Sequence, residues 1–184
     1  MSESNNADVI VIGGGLIGSA VGYGLLRHNL RVLVLDGEDR DYRAANANGG
    51  LVWLQGKGAN MPAYHALSRL SVGAWPMFCA ALEADTGADI QYVNRGGLKL
   101  CFGEAGLEQR REALMRWHNQ QSDWEMLDRT GLEKLVPRVE FGPDVSGASY
   151  CQGDGQLNPL RLLAALHTAI VRKGGLICAR KRSG

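Results

Sequence analysis

A run of glycines, Gly13-Gly14-Gly15-Leu16-Ile17-Gly18, follows the apolar stretch Val9-Ile10-Val11-Ile12, and a carboxylate, Asp36, closes the next apolar stretch, Val32-Leu33-Val34-Leu35. The chemistry that such spacing serves is the holding of a pyrophosphate. Gly13 permits a tight turn from strand into helix, Gly15 lets main chain approach phosphate oxygens, and Gly18 lets the helix lie close on the strand. The helix that opens with Leu16 and Ile17 offers free N–H groups and a partial positive charge to an anion. Asp36 stands eighteen residues past Gly18, where its carboxylate accepts from both hydroxyls of a ribose and repels a 2′-phosphate. These residues predict a dinucleotide site that disfavours NADP. Glycines occur in many turns between a strand and a helix. Here a strand precedes them, a helical stretch (Leu16 to about Arg27) follows, and an acid closes a unit of about 30 residues, which is the context that gives the motif its meaning.

The rest of the composition narrows the class of protein. The chain has 184 residues, 45% of them hydrophobic and 21% charged, as in a globular protein of one ordinary domain or somewhat more. Twenty basic and 19 acidic residues are interspersed for a net charge of +1, which gives no reason to expect nucleic acid or an anionic membrane surface as a partner. Arg172, Lys173, Arg180, Lys181 and Arg182 form the one local excess and read as a solvated tail. Cys79, Cys101, Cys151 and Cys178 lie far apart, with no Cys-x-x-Cys and no histidine at ligand spacing. That pattern predicts reduced thiols in a cytoplasmic protein and no metal site. Val9 to Leu26 carries no charge, but Asp8 precedes it and Gly13, Gly14, Gly15, Gly18, Gly22 and Gly24 interrupt it. It therefore reads as strand, turn and helix rather than as a signal or a membrane span.

The elements that must position the motif follow from periodicity. After β-α-β through Leu35 comes a charged stretch, Glu38 to Asp41, and then a segment rich in Gly and Asn with an apolar middle, Arg43 to Gly58. A loop that wraps a ligand satisfies both properties. A helix is predicted from Pro62 to Asp85, stopped by Thr86-Gly87, and then a hairpin of Ile90–Val93 with Leu98–Phe102 through Asn94-Arg95-Gly96-Gly97. Further helices are expected over about 107–120 and 130–135, with Glu125-Met126-Leu127 leading into the second and a strand near 148–151 after it. This irregular alternation reads as an α+β insertion. Asn158 then caps a helix that begins at Pro159, with Leu160, Leu163, Leu166 and Ile170 along one face and Ala165 and Ala169 alongside. Gly174-Gly175 stops it, and Leu176–Ala179 reads as a third parallel strand returning to the first domain. The predicted division is 1–60 and 151–184 for the nucleotide-binding domain and 61–150 for the insertion.

The order of these motifs resembles the FAD-dependent D-amino-acid oxidase and glycine oxidase family over the whole chain. The resemblance is carried by Gly13-x-Gly15-x-x-Gly18, Asp36, Asn48-Gly49-Gly50, Gly96-Gly97-Leu98 and Asn158-Pro159-x-x-Leu162. Within the family, Gly50-Leu51-Val52-Trp53-Leu54-Gln55-Gly56-Lys57-Gly58 is similar to the flavoprotein subunits of opine oxidases and hydrogen cyanide synthases. The resemblance implies an α/β fold, a Rossmann-like FAD-binding domain of glutathione-reductase type with an inserted α+β substrate domain. It implies that Gly13, Gly14, Gly15, Leu16, Ile17 and Gly18 hold the FAD pyrophosphate and that Asp36 holds the adenosine ribose. Asn48, Gly49 and Gly50 would lie along the ribityl chain and isoalloxazine, and Ala45 would also touch the cofactor. Where the family prefers Glu this chain has Asp36, and where it often has Ser this chain has Ala45, which removes a hydroxyl contact of about 1 kcal/mol.

Members of that family are longer, so the resemblance implies a truncated form without the substrate-carboxylate arginine and the segment that closes over the flavin. Val9-Ile10-Val11-Ile12, apolar on both faces, suits a central strand, yet the chain offers parallel neighbours for one side only. The implied activity is oxidation of the amine of an amino acid or N-substituted amino acid, with a partner subunit as in hetero-oligomeric opine oxidases. No residue takes a catalytic acid or base role. His28, His65, His118 and His167 read as surface or core histidines, Tyr92 and Tyr150 as packing residues, and Lys57 as a candidate neighbour of the ring. Two rival readings remain, a catalytically inactive fragment and an NAD-linked dehydrogenase. A yellow purified protein with flavin bands would support FAD binding, a colourless one that cannot be reconstituted would speak against it, and stronger thermal protection by NAD than by FAD would favour the dehydrogenase.

Overall fold

The computed structural model describes residues 6–37, 44–45, 47–58, 60–117 and 124–179. The charged stretch at 38–41, His118 and the basic residues 180–182 lie outside them. The chain divides into two compact units, one of residues 1–50, 76–92 and 157–184, the other of 51–75 and 93–156.

The first unit is built on parallel β-α-β connections. Strand β1 (Val9–Ile12), helix α1 (Leu16–Leu26) and strand β2 (Val32–Asp36) follow in order, and β1 pairs with β2 in the register Val9↔Val32 to Ile12↔Leu35. The other edge of β2 takes the strand Leu176–Ala179, parallel, in the register Leu33↔Leu176 to Asp36↔Ala179. Residues two apart along a strand share a face. Val32 and Val34 point to the helical side, where Gly22 of α1 brings its backbone onto Val34 and onto Ile170 of the returning helix. The opposite face carries Ile10, 57% exposed, and Ile12, 87% exposed. Among the described residues β1 is thus an edge strand with one neighbour, and its apolar second face is uncovered.

The hairpin expected from Ile90 to Phe102 does not form. Gln91 adopts a positive φ of 57°, which breaks the extended run, and Ile90 is buried with its carbonyl accepting from the Asn158 N–H. Only Val93 makes a bridge, to Gln156. A short pair, β3 (Leu51–Val52) with Gly155–Gln156, stands in the second unit, and the long helix α2 (Pro62–Thr86) comes next in the chain. Strand β4 (Gly97–Phe102) pairs with β6 (Val145–Cys151), the centre of an antiparallel sheet ordered β4-β6-β5, whose third strand β5 is Trp124–Asp128. The segment Glu125-Met126-Leu127, expected as a lead-in to a helix, is therefore a strand, because the second edge of β6 is available to it. Two helices pack on β6: α3 (Gly103–Trp117), starting four residues earlier than expected, and α4 (Arg129–Leu135). Leu132, Val145 and Ala148 form the core beneath α4, and the Asp128 side chain caps α4 by accepting from the Gly131 N–H at 2.7 Å.

After β7 (Gly155–Gln156) the chain returns to the first unit through α5 (Pro159–Arg172) and β8 (Leu176–Ala179). Asn158 Oδ1 accepts from the N–H groups of Leu160 and Arg161, in keeping with its expected place as a cap. The buried face is the expected one at Ala165, Leu166, Ala169 and Ile170 and differs only at its start. Leu162, Ala165, Leu166, Ala169 and Ile170 are buried, while Leu160 is 54% exposed in the first turn. Nor are Arg172 and Lys173 a loose tail: Arg172 donates to the Asp85 carbonyl, and Lys173 pairs with the Asp85 carboxylate at 2.9 Å.

Candidate functional site

The turn between β1 and α1 is packed on itself. A side-chain carbon on Gly18 would stand almost on the carbonyl oxygen of Gly13, so no larger residue fits without moving backbone. Gly13 has φ +104°, a region that favours glycine. Gly15 is the N-cap of α1 and has no side-chain capping hydrogen bond, which leaves the first turn of that helix open to an anion.

Several residues singled out by spacing meet around this turn. The Asp36 carboxyl group lies against Gly14, and its Oδ1 accepts from the Gly37 N–H at 3.0 Å. Ala45 is the neighbour a side chain on Gly15 would meet, at 3.8 Å. Asn48 shapes the loop that follows: its Nδ2 donates to the carbonyls of Ala44 and Ala45, and its Oδ1 accepts from the Gly50 N–H. Gly50, at φ +66°, is pressed against Leu157 and Pro159, where the returning helix α5 begins. Gly49 is exposed. Leu16 and Ile17 begin α1, with Ile17 exposed.

One residue from a distant part of the chain joins this neighbourhood. His167, which reads from sequence as a surface or core histidine, places Nε2 2.7 Å from the Gly14 carbonyl oxygen. That oxygen also accepts from Ser19 Oγ at 2.9 Å. The only signal in the sequence is a histidine in the middle of an apolar helix.

The second unit has chemistry of its own. Asp154, fully buried, accepts from the Leu54 N–H and from Gln55 Nε2. The Gln55 oxygen in turn accepts from Arg110 and from Ser149. Burial holds the Arg110 guanidinium below its ordinary pKa. Beside this network lies a cavity of about 660 Å³ whose walls include Arg69, Trp124, Glu125 and Tyr150. Tyr150, expected to pack, also donates its hydroxyl to the Arg95 carbonyl. Lys57 is exposed, and its carbonyl oxygen lies 3.1 Å from His65 Nδ1.

Residues 8–183 match the DAO family, the FAD dependent oxidoreductases, and the chain belongs to that family. It is 40% identical over 171 residues to an opine oxidase subunit of Rhizobium meliloti, a match that covers 91% of this chain and 46% of that protein. It is 27% identical over 170 residues to the glycine oxidase of Geobacillus kaustophilus, covering 92% of this chain and 45% of that protein. The crystal structure of the latter superposes with a TM-score of 0.83, covering 94% of this chain and 46% of that one. The chain thus spans about half the length of the curated relatives it matches. The likeness places it among flavoenzymes with a Rossmann-type FAD-binding fold, and FAD is the cofactor of the family. Among the described residues, no helix is long and apolar enough to cross a membrane.

Proposed function

We propose that this chain holds FAD at the β1–α1 turn and contributes to the oxidation of the amine of an amino acid or N-substituted amino acid, such as glycine or an opine. Gly13, Gly14, Gly15, Leu16, Ile17 and Gly18 would bind the pyrophosphate, and Asp36 the adenosine ribose. Asn48, Gly49 and Gly50 would line the ribityl chain and flavin, and Ala45 would also touch the cofactor. The observation that carries this reading is the uncapped start of α1 at a turn that needs glycine at 13, for its positive φ, and at 18, for its contact with the Gly13 carbonyl, with the Asp36 carboxylate beside it. The chemistry FAD supplies when bound is acceptance of a hydride from the carbon bearing the amine, after which water converts the substrate imine to a keto acid and an amine or ammonia. In this scheme residues 1–60 and 151–184 serve the cofactor and 61–150 form part of a substrate domain. The cavity bounded by Arg69, Glu125, Trp124 and Tyr150 has both signs of charge and aromatic walls, which suits a zwitterion. A partner subunit is proposed because the opine oxidase relatives are themselves subunits by name.

A second reading has its own observation. The Ile10 and Ile12 face of the sheet, bare among the described residues, favours a catalytically inactive chain that binds FAD weakly or not at all. One experiment separates the two: the purified chain is titrated with FAD, its visible spectrum recorded, and reduction of the flavin by glycine and by an opine followed without oxygen. Flavin bands that bleach support the first reading, and flavin bands that persist support the second. A colourless chain that cannot be reconstituted overturns the first reading and leaves the second, in its form without FAD binding.

A further inference from the structure

We propose that His167 is a positioning residue for the pyrophosphate site, fixing the direction in which the Gly15 N–H points; the inference rests on the reading that FAD binds at this turn. His167 lies 153 residues from Gly14 in sequence, and α5 brings it there. Leu166 and Ile170 on the same helix are buried, with Ile170 against Gly22 of α1, so the docking of the two helices sets where the imidazole stands.

The Gly14 carbonyl can only accept, so Nε2 of His167 carries the hydrogen and donates it. With Ser19 Oγ as the second donor, both lone pairs of that oxygen are used. The peptide between Gly14 and Gly15 is planar and trans, so the Gly15 N–H points opposite to the carbonyl. Two donors on one side of this peptide therefore aim the N–H on the other side at the open start of α1. Donation into the carbonyl also polarises the peptide and strengthens its N–H as a donor. A turn of glycines has little conformational preference, and an unanchored Gly14–Gly15 peptide would be free to rotate. Ser19 and His167 remove that freedom together before any anion arrives, and His167 supplies the donor that comes from outside the turn's own helix.

The test compares the 184-residue chain with His167→Ala and His167→Gln, the latter able to donate from its side-chain amide. FAD affinity is measured by fluorescence titration, and the ³¹P shifts of the bound pyrophosphate are recorded. The expected result for H167A is a roughly five- to tenfold loss of affinity with moved ³¹P resonances. H167Q should recover affinity to within about twofold and return the resonances. The thermal midpoint without FAD should fall by no more than about 4 °C in either variant. If H167A does not fold, His167→Met fills the space without a donor and replaces it. Unchanged affinity and ³¹P shifts in the variant that lacks a donor overturn the inference alone. So does a loss of affinity that leaves the shifts unmoved and that glutamine does not restore, since that marks packing only. Failure of the wild-type chain to bind FAD overturns the inference together with the reading beneath it.

Discussion

The Asp36 carboxyl group lies directly over Gly14: a side-chain carbon placed on that glycine would stand 2.9 Å from both Cγ and Oδ2 of the acid. The two positions are therefore coupled, and Gly14→Ala should act by pushing the carboxylate out of place. Because a side chain can swing aside, folding should survive while FAD binding weakens about tenfold. Gly18→Ala meets backbone instead, the Gly13 carbonyl. It should cost about 1–3 kcal/mol of stability, seen as a lower thermal midpoint with or without FAD.

Asp154 anchors the second unit by taking the Leu54 N–H and the Gln55 amide, while Gln55 holds Arg110 and Ser149. Asp154→Ala strands two buried donors and should destabilise by about 2–5 kcal/mol in urea unfolding. Asp154→Asn keeps an acceptor oxygen and should lose less.

The four thiols should separate by reactivity. Cys178 is exposed, whereas Cys79, Cys101 and Cys151 are buried. Burial pushes Cys79 up to about 11 and Cys151 up to about 12, so both stay protonated at neutral pH. With a thiol-reactive dye under mildly alkaline conditions, Cys178 should react fast and the others only on unfolding. Cys178→Ser should abolish the fast phase.

Alkaline unfolding should report on Tyr23. Burial, and then its hydrogen bond to Asp85 at 2.7 Å, raise its pKa from 10.0 to about 12. A group whose folded pKa is raised keeps its proton longer in the native state, so its stabilisation is present in full below about pH 10 and is lost as pH rises through about 12. Urea midpoints of wild type and Tyr23→Phe should differ by a constant amount below about pH 10 and converge between about pH 10 and 12.

The uncovered face of β1 should make the chain self-associate. Ile10 is 57% exposed on an edge strand. Ile10→Lys places a charge there and should lower light scattering at high concentration with little change in thermal midpoint.

Much of the first unit is local in origin, and hence legible. The strand, the glycine turn, the helix and the closing acid are adjacent in the chain, and Asn158-Pro159 marks a helix start by its own side chain and ring. Leu176–Ala179 can run parallel to β2 because the helix before it carries the chain back along the sheet. Less of the second unit can be seen this way. Ile90–Val93 has strand-like residues, yet among the described residues it pairs only at Val93, by a single bridge to Gln156, and Trp124–Asp128 gives no local sign of being a strand, because its pairing with β6 joins positions far apart. Extended segments become strands only where an edge is offered, and a single sequence does not display its edges.

The sequence by itself determined that a turn of glycines leads from a strand into a helix and that an acid ends the next strand, because steric freedom at glycine and apolar runs act over a few residues. Only the tertiary structure decided that Asp36 rests on Gly14, that Ala45 stands next to Gly15, and that His167 reaches the Gly14 carbonyl. Those relations depend on helices docking across long stretches of chain, where contact is set by packing rather than by order.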